Sequence, residues 1–465
     1  MARRRSILLL IAAGFVAACL VLVEVVFMGE PALAPAAPTQ PAAGPLQVSA
    51  NGRYFATPDG RPLVLTGSHT WQNFQDTGHG DPPPAFDYPA YLRFLEEQNH
   101  NFFRLWVWEQ AQFSNEISRD DYFSGPSPYQ KAGGRFDLDK FDPAYFSRLR
   151  ERVSQAGQRG IYVSVMLFNG WSIEACKGEL CDNNPWTGHP FNKANNVNGV
   201  DGDLNGNGSG EETQTLAVAA VTARQEAYVR KVVDTVGDLD NVLYEISNEG
   251  PANSAEWQYH MISYLKSYEP GEKHPVGMTS TYPGNNQDLW NSPADWISPN
   301  GDLNNPPATD GRKVVLADTD HLCGLCGDSS WPWRSFTRGE NPIYMDAYDG
   351  AYGIGGKMTD KDAVAIRANL GHVRDYASRL DLTTATPRPD LCSTGFCLVA
   401  GTKYLVFSPG GEFTVDLGKA QGRTLSGQWL DPDTGATTAV ADVRGESSSR
   451  FTPPFDGPAV LLLER

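Results

Sequence analysis

Short apolar runs recur along the chain from about residue 47, with longer amphipathic stretches between them. The runs are PLVLTG (62–67), FFRLWVW (102–108), IYVSVMLF (161–168), VLYEIS (242–247), VGMTST (276–281), DWISP (295–299), KVVLAD (313–318) and NPIYMDAY (341–348). Near-continuous apolar runs of this length read as strands covered on both faces. Between them, DPAYFSRLRERVSQAGQRG offers Asp142 as an N-cap and Pro143 at the first helical position. It also sets Phe146, Leu149, Val153 and Ala156 on one face. VTARQEAYVRKVVDTVG, SAEWQYHMISYLKSY and DAVAIRANLGHVRDYASRL repeat the pattern. Strands alternating with helices make a parallel sheet, and eight such units across residues 47–382 predict an α/β fold, a (β/α)8 TIM barrel with long βα loops. A doubly wound open sheet is the alternative, weakened because no Gly-rich phosphate loop follows the first strand.

The pattern changes after Leu382. TTATPRPDLCSTGFC reads as a linker, followed by LVAGTKYLVFSP, GEFTVDLG, TLSGQWLDPDTG, ATTAVADV, SRFTPPF and PAVLLLER, which are short strands with turn signals and no helix. Residues 383–465 are therefore expected to form a small all-β sandwich.

The N-terminus follows another grammar. Arg3–Arg5 precede an apolar run from Ile7 to Met28, broken only by Glu24. Residues 1–28 read as a signal peptide or an uncleaved membrane anchor with its arginines inside. Residues 29–46 form a Pro/Ala-rich linker. The remainder is expected to be exported, either secreted or anchored at the cell surface or in the periplasm. A net charge of -17 makes nucleic acid an improbable partner, because phosphate binding needs a concentrated basic surface.

Seven cysteines comprise Cys19, in the export segment, and three close pairs: Cys176/Cys181, Cys323/Cys326 and Cys392/Cys397. In an exported chain these read as local disulfides. Zinc is the rival for CGLC, but CKGELC and CSTGFC are poorly spaced for knuckles.

A (β/α)8 barrel carries its chemistry at the C-terminal strand ends. The polar and aromatic residues there are His69 and Trp71; Trp106, Trp108 and Glu109; Asn169 and Trp171; Asn248 and Glu249; Tyr282; Asp318, Asp320 and His321; and Asp346 and Asp349. Two acidic clusters, on runs four and seven, face each other across such a mouth. Facing carboxylates are what glycoside hydrolysis needs, at ~5–5.5 Å for retention and roughly 6.5–9.5 Å for inversion. One must have a raised pKa, which an apolar wall and a second carboxylate supply. Ten of the eleven tryptophans fall in the barrel segment, several just past strand ends, and offer flat apolar faces to sugar rings. Trp71, Trp108, Tyr282 and Trp333 are the aromatic candidates for substrate contact.

These residues resemble a known family. YEISNEG is similar to the Asn-Glu ending strand four in clan A glycoside hydrolases, and NFFRLW to that clan's strand-two arginine, here Arg104. NGRYFATPDGRPLVLTGSHTWQNF resembles the apiosidase-like barrel proteins, and WLDPDTG with FTPPFDGPAVLLL resembles the collagen-binding-type β-domain that often follows them. The resemblance implies that Glu249 is the acid/base and that Asn248 binds the sugar beside the scissile bond. The clan usually ends strand seven with a glutamate nucleophile, whereas this strand reads VVLADTDHLCG. Asp318 stands at that place and is expected to be the nucleophile facing Glu249. Asp320, one step into the loop, is the reserve, set at the rim to bind a sugar hydroxyl or pair with His321. Asp346 and His69 complete the expected substrate contacts. DTDH with His69 or His79 is also readable as a metal cluster.

DGDLNGNGSGEE fits the spacing of a calcium loop, with Asp201, Asp203, Asn205, Asn207, Ser209 and Glu212 as oxygen ligands. The alternative is a solvated Asn/Gly loop. Such calcium would be structural, and the chemistry itself is expected to need no cofactor. The expected protein is thus an exported glycoside hydrolase cleaving a glycosidic bond in a poly- or oligosaccharide by a retaining two-carboxylate mechanism. The rival from another class is a non-catalytic glycan- or matrix-binding surface protein on a degenerate barrel.

Overall fold

In the computed structural model, described over residues 40–113, 122–175, 177, 184–271, 273–348 and 359–465, eight parallel strands curl into a nearly closed ring. They are β1 (Gly67–His69), β2 (Phe102–Leu105), β3 (Tyr162–Asn169), β4 (Val242–Asn248), β5 (Val276–Thr279), β6 (Trp296–Ser298), β7 (Val314–Asp318) and β8 (Asn341–Met345). From β2 to β8 each pairs with its sequence neighbour, and β8 returns to β1. The last gap lies between β1 and β2. There Gly67 packs so close to β2 that a Cβ would stand 1.9 Å from the Phe102 carbonyl oxygen, so no larger residue fits without parting the two strands.

The helices are α1 (Tyr88–Glu97), α2 (Pro143–Gly157), α3 (Ala219–Val236), α4 (Ala255–Tyr268), α5 (Asn286–Asn291), α6 (Thr319–Leu322), α7 (Trp331–Thr337) and α8 (Lys361–Ser378). Asp142 caps α2 by accepting from the Ala144 N–H at 2.9 Å, with Pro143 beginning the helix, and the face carrying Phe146, Leu149, Val153 and Ala156 is buried. All seven residues of β4 are buried, as in a strand covered on both sides.

The first apolar run is placed differently from its reading. Pro62–Leu63 belongs to a three-stranded antiparallel sheet with Gln47–Val48 and Phe55–Ala56, and the barrel strand begins only at Gly67. Proline has no N–H to donate to an internal ladder, which suits Pro62 to this outlying sheet. Leu46, Phe55 and Leu65 pack with Phe102, Tyr162, Leu243, Trp296 and Ile343 in one apolar cluster, leaving the chemistry to the other ends of the strands.

Residues 386–464 carry a six-stranded antiparallel sheet and a separate strand pair, Phe413–Val415 with Ser449–Phe451, which together form a β-sandwich. Its core is continuous with the barrel's helical layer. Trp333, Phe336, Val373 and Tyr376 pack with Leu398, Leu405, Phe407, Leu430 and Leu462. Trp333, expected at the substrate, is instead fully buried there, with its indole N–H donating to Asn369 Oδ1 at 2.7 Å. It sits on α7, past the loop that follows β7, so its distance from the strand end in sequence carries it to the outer layer.

Cys323 and Cys326 form a disulfide. Cys392 and Cys397, expected to pair, are buried free thiols: Cys397 hydrogen-bonds to Cys392, whose sulfur also meets Thr394 Oγ1 at 3.2 Å. Cys19, Cys176, Cys181, Asp349 and the proposed export segment lie outside the described residues. Among the described residues no helix is long and apolar enough to cross a membrane.

Because Phe336 joins the two layers, Phe336→Ala should cost about 3–5 kcal/mol. Denaturant unfolding should show that loss in a transition shared by barrel and sandwich. Loss confined to the sandwich, with the barrel's midpoint unchanged, would contradict a shared core.

Candidate active site

Arg104 rises from β2 into the barrel mouth, fully buried, and each of its five N–H donors has an acceptor. Nε and one terminal nitrogen grip Glu245 at 2.9 and 2.6 Å, and that nitrogen also donates to Asn248 Oδ1 at 2.6 Å. The other terminal nitrogen donates to Asp318 and Asp320, both at 2.9 Å. One cation therefore joins β2 to β4 and to the end of β7. Glu245 was not singled out in the sequence because it sits inside an apolar run. A carboxylate in mid-strand, facing the barrel interior, was the available signal.

Asp318 ends β7 and caps α6, accepting the Asp320 N–H at 3.0 Å. His69 Nε2 lies 3.1 and 2.9 Å from its two oxygens, and Arg104 donates to Oδ2. Burial works against its charge, but His69 and Arg104 outweigh burial and hold it well below the usual carboxylate range. Both oxygens are thus committed to the protein. Asp320, in the first turn of α6, has a different setting. Burial raises its pKa, Arg104 opposes this, and Asp318 adds to it.

Glu249 follows β4 with a left-handed backbone, φ 42°. Its Oε2 accepts from the Trp171 indole N–H. Burial first, and then the Asp320 charge, push its pKa up to about 7 against the pull of Lys177 and Arg104. The carboxylate that Glu249 senses is therefore Asp320. Asp318, expected to face Glu249, has both oxygens engaged by His69 and Arg104. Asp320, expected at the rim or beside His321, has its Oδ2 3.6 Å from His321 Nε2.

His321, expected to touch substrate, is buried with both ring nitrogens engaged. Nδ1 meets Ser298 Oγ at 2.7 Å and Nε2 meets Asn248 Oδ1 at 3.1 Å. Burial and Arg104 push its pKa down to about 3, so the ring is neutral. Nε2–H then donates to Asn248, and Nδ1 accepts from the Ser298 hydroxyl. Asn248 Oδ1 receives two donors, and its Nδ2 has no protein partner. Reversing the amide would press N–H against both donors, so the orientation is fixed and a donor remains for a ligand.

His69 stacks on Trp106 at 5.6 Å, 9° from parallel, leaving its Nδ1 and the Trp106 indole N–H without hydrogen-bond partners. Trp71 and Trp108 are buried behind this pair, joined by the Trp108 indole N–H to the Trp71 carbonyl at 3.0 Å. Tyr282 is 40% exposed and lies 6.4 Å from the Trp171 ring. Glu109 accepts the Asn169 N–H at 2.9 Å and so braces the end of β3. Asp346 is not available to a substrate: it is buried and paired with Arg367 at 2.5 and 2.7 Å. This partner, which comes from α8, lies far along the chain from Asp346.

The residues expected to bind calcium do not converge. Asp203 accepts the N–H groups of Gly206, Asn207 and Gly208, at 2.7, 3.0 and 2.8 Å, and Ser209 Oγ donates inward to the Ile173 carbonyl at 3.1 Å. Asn205 and Asn207 accept N–H groups two residues on, and Asp201 does the same for Asp203, so the oxygens that calcium would need close turns of the loop itself. Among the described residues no three His, Cys, Asp or Glu side chains, Asp201 and Glu212 included, form a metal-holding group.

Residues 49–198 match the family model described as "Apiosidase-like, catalytic domain", and residues 399–464 match that described as "Putative collagen-binding domain of a collagenase". No curated protein matches the chain in sequence. Among solved structures, a protein titled glycoside hydrolase aligns with TM-score 0.61 and 12% identity, over 91% of this chain and 97% of its own. A glycoside hydrolase family 5 protein from Bacteroides vulgatus ATCC 8482 aligns with TM-score 0.62 and 13% identity, over 91% and 93%. At such identities the structures establish the fold. The barrel is therefore of the glycoside hydrolase fold, with residues 49–198 similar to the apiosidase-like catalytic domain and residues 399–464 similar to the collagen-binding-type β-domain.

Proposed function

We propose that this protein is an exported glycoside hydrolase that cleaves a glycosidic bond in an oligo- or polysaccharide with retention, using Glu249 as acid/base and Asp320 as nucleophile. The observation that carries the reading is a buried strand-end carboxyl, Glu249, held by the Trp171 indole, in a mouth where a buried arginine grips a second carboxyl, Asp320, whose charge with burial raises the Glu249 pKa. Export is supported by the basic and apolar N-terminal sequence and by the Cys323–Cys326 disulfide.

In the first step protonated Glu249 gives its proton to the glycosidic oxygen as the C–O bond breaks. An Asp320 oxygen attacks the anomeric carbon, forming a glycosyl ester. In the second step Glu249, now a carboxylate, takes a proton from water, whose oxygen displaces Asp320. Arg104 holds the Asp320 carboxylate and stabilises it as a leaving group. The Asn248 Nδ2–H, fixed by Arg104 and His321, donates to a sugar hydroxyl. Trp171 and Tyr282 supply apolar surface. A purely binding face has no use for a carboxyl poised to titrate at neutral pH, which favours the enzyme over the glycan-binding rival. Asp318 acts through Arg104 and His69, which it anchors.

Glu249→Gln should lower kcat on a natural glycan about 10²–10⁴-fold. It should spare glycosylation by substrates with very good leaving groups, which need little protonation. In the unmodified enzyme the protonated form is the active one, so kcat/KM should fall as pH rises through about 7. Unchanged turnover in the variant would remove Glu249 from the reaction.

A 2-deoxy-2-fluoro glycoside should trap an ester on Asp320, located by peptide mass spectrometry. Asp318→Asn should lower stability by about 3–5 kcal/mol, since it strips a buried charge pair of one partner. An ester found on Asp318 would overturn the assignment, as would an active enzyme that inverts configuration.

A further inference from the structure

Glu249 combines two demands that conflict. Its carboxyl must be held to well within an ångström or so for proton transfer, yet its backbone adopts a left-handed conformation that L-residues disfavour. Its N–H rests on Thr279 Oγ1 at 3.3 Å, a long contact. Its carbonyl is gripped more firmly, by the ammonium of Lys177. Gly170 makes room on the same side: a Cβ there would stand 2.1 Å from the Glu249 carbonyl oxygen.

Lys177 is an unusual residue in this place. Its side chain is 2% exposed, although a lysine normally keeps its head in water. The ammonium also donates to Glu174 Oε1 at 3.0 Å and lies 5.5 Å from the Trp171 ring centre and 5.4 Å from that of Tyr282. Trp171 is the residue whose indole N–H holds the Glu249 carboxylate. A single cation therefore touches the main chain of Glu249 and the face of the ring that orients its side chain.

We infer that Lys177 is a positioning residue for Glu249, clamping the carbonyl of its left-handed backbone and the indole that grips its carboxylate. The inference rests on the reading of Glu249 as proton donor. Lys177 also has an electrostatic consequence. The groups that bear on the Glu249 carboxyl are Asp320 from the α6 turn, Arg104 from β2, and Trp171 with Lys177 from the segment after β3. Glu174 stands behind Lys177, and Tyr282 lies across from Trp171. Burial and Asp320 raise the Glu249 pKa, while Lys177 opposes them. Without that cation the acid would stay protonated to higher pH and would give up its proton less readily in the second step, when it must act as a base.

The test compares Lys177→Met, Lys177→Gln and Lys177→Arg in the full chain. Glu249 is titrated directly by NMR of protein labelled with carboxyl ¹³C glutamate, its signal assigned by its absence in Glu249→Gln. Lys177→Met should raise the Glu249 midpoint by about one pH unit. It should lower kcat about tenfold with KM little changed, as expected when an acid is loosened but the sugar contacts remain. Lys177→Gln is neutral but can still donate to the carbonyl. It should shift the midpoint as Met does while keeping more of kcat. Lys177→Arg should keep both values within about threefold of the parent. A folded Met or Gln variant whose Glu249 titrates as in the parent would overturn the inference, and so would an Arg variant as impaired as Met. If the parent hydrolyses no glycan, the assignment of Glu249 as acid fails, while the shift in its titration still decides whether Lys177 holds it.

Discussion

The arrangement of the mouth depends on one buried guanidinium. Arg104 is enclosed by the barrel, where an unpaired charge would cost several kcal/mol, and it is stable there because Glu245, Asn248, Asp318 and Asp320 take all its donors. The planar fork sets where each acceptor must lie, which a lysine could not do. Glu245 and Asn248 come from β4, and Asp318 and Asp320 from the end of β7 and the turn beyond it. The cation thereby fixes the separation of two strands that do not pair with each other. It also sets the charge of the site: with His69 it holds Asp318 well below the usual carboxylate range, and Glu249 is left to the effects of burial and Asp320.

The four residues Asp318-Thr319-Asp320-His321 then divide the work. Asp318 anchors Arg104 and His69 and caps α6. Thr319 accepts the Met345 N–H at 2.9 Å, tying the turn to β8. Asp320 remains the carboxylate next to Glu249, and His321 orients Asn248. Each assignment follows from which neighbours a side chain has already satisfied. A group whose lone pairs are all engaged can hold its neighbours in place. Chemistry falls to groups that still have a lone pair or N–H to offer.

The barrel was legible because its signals are local and repeated. Apolar runs of strand length, the Asp142-Pro143 cap and the helical faces each depend on residues close in sequence. Arg104, Asn248 and Glu249 were legible for the same reason, since strand ends mark the mouth of such a barrel. What sequence could not supply were partners distant along the chain. Asp346 looked like a site carboxylate until Arg367, on α8, was seen to neutralise it. Trp333 looked like a sugar platform until the sandwich covered it. Ser298 and Lys177 went unnoticed, since a serine ending a short strand and a lysine between two cysteines carry no periodic signal. The Asp201–Glu212 loop shows a different ambiguity. Its Asp/Asn spacing suits both calcium and self-capped turns, and in the structure Asp203 closes on the N–H groups of Gly206 and Gly208.

The different settings of Asp318 and Asp320 come from a step of backbone geometry that strand alternation does not reveal. Residues two apart on a strand share a face, so both aspartates could have pointed into the mouth at successive depths. The chain instead turns into a helix at Thr319, because Asp318 accepts the Asp320 N–H and so begins the turn. That capping bond commits Asp318 to the protein, and the turn places Asp320 beyond it. An aspartate is one methylene shorter than the glutamate that usually ends this strand. Advancing the carboxylate by two residues into the helix offers a way to recover that reach without a longer side chain. Arg104 donates to both carboxylates from the same nitrogen, so the two aspartates are held by one atom.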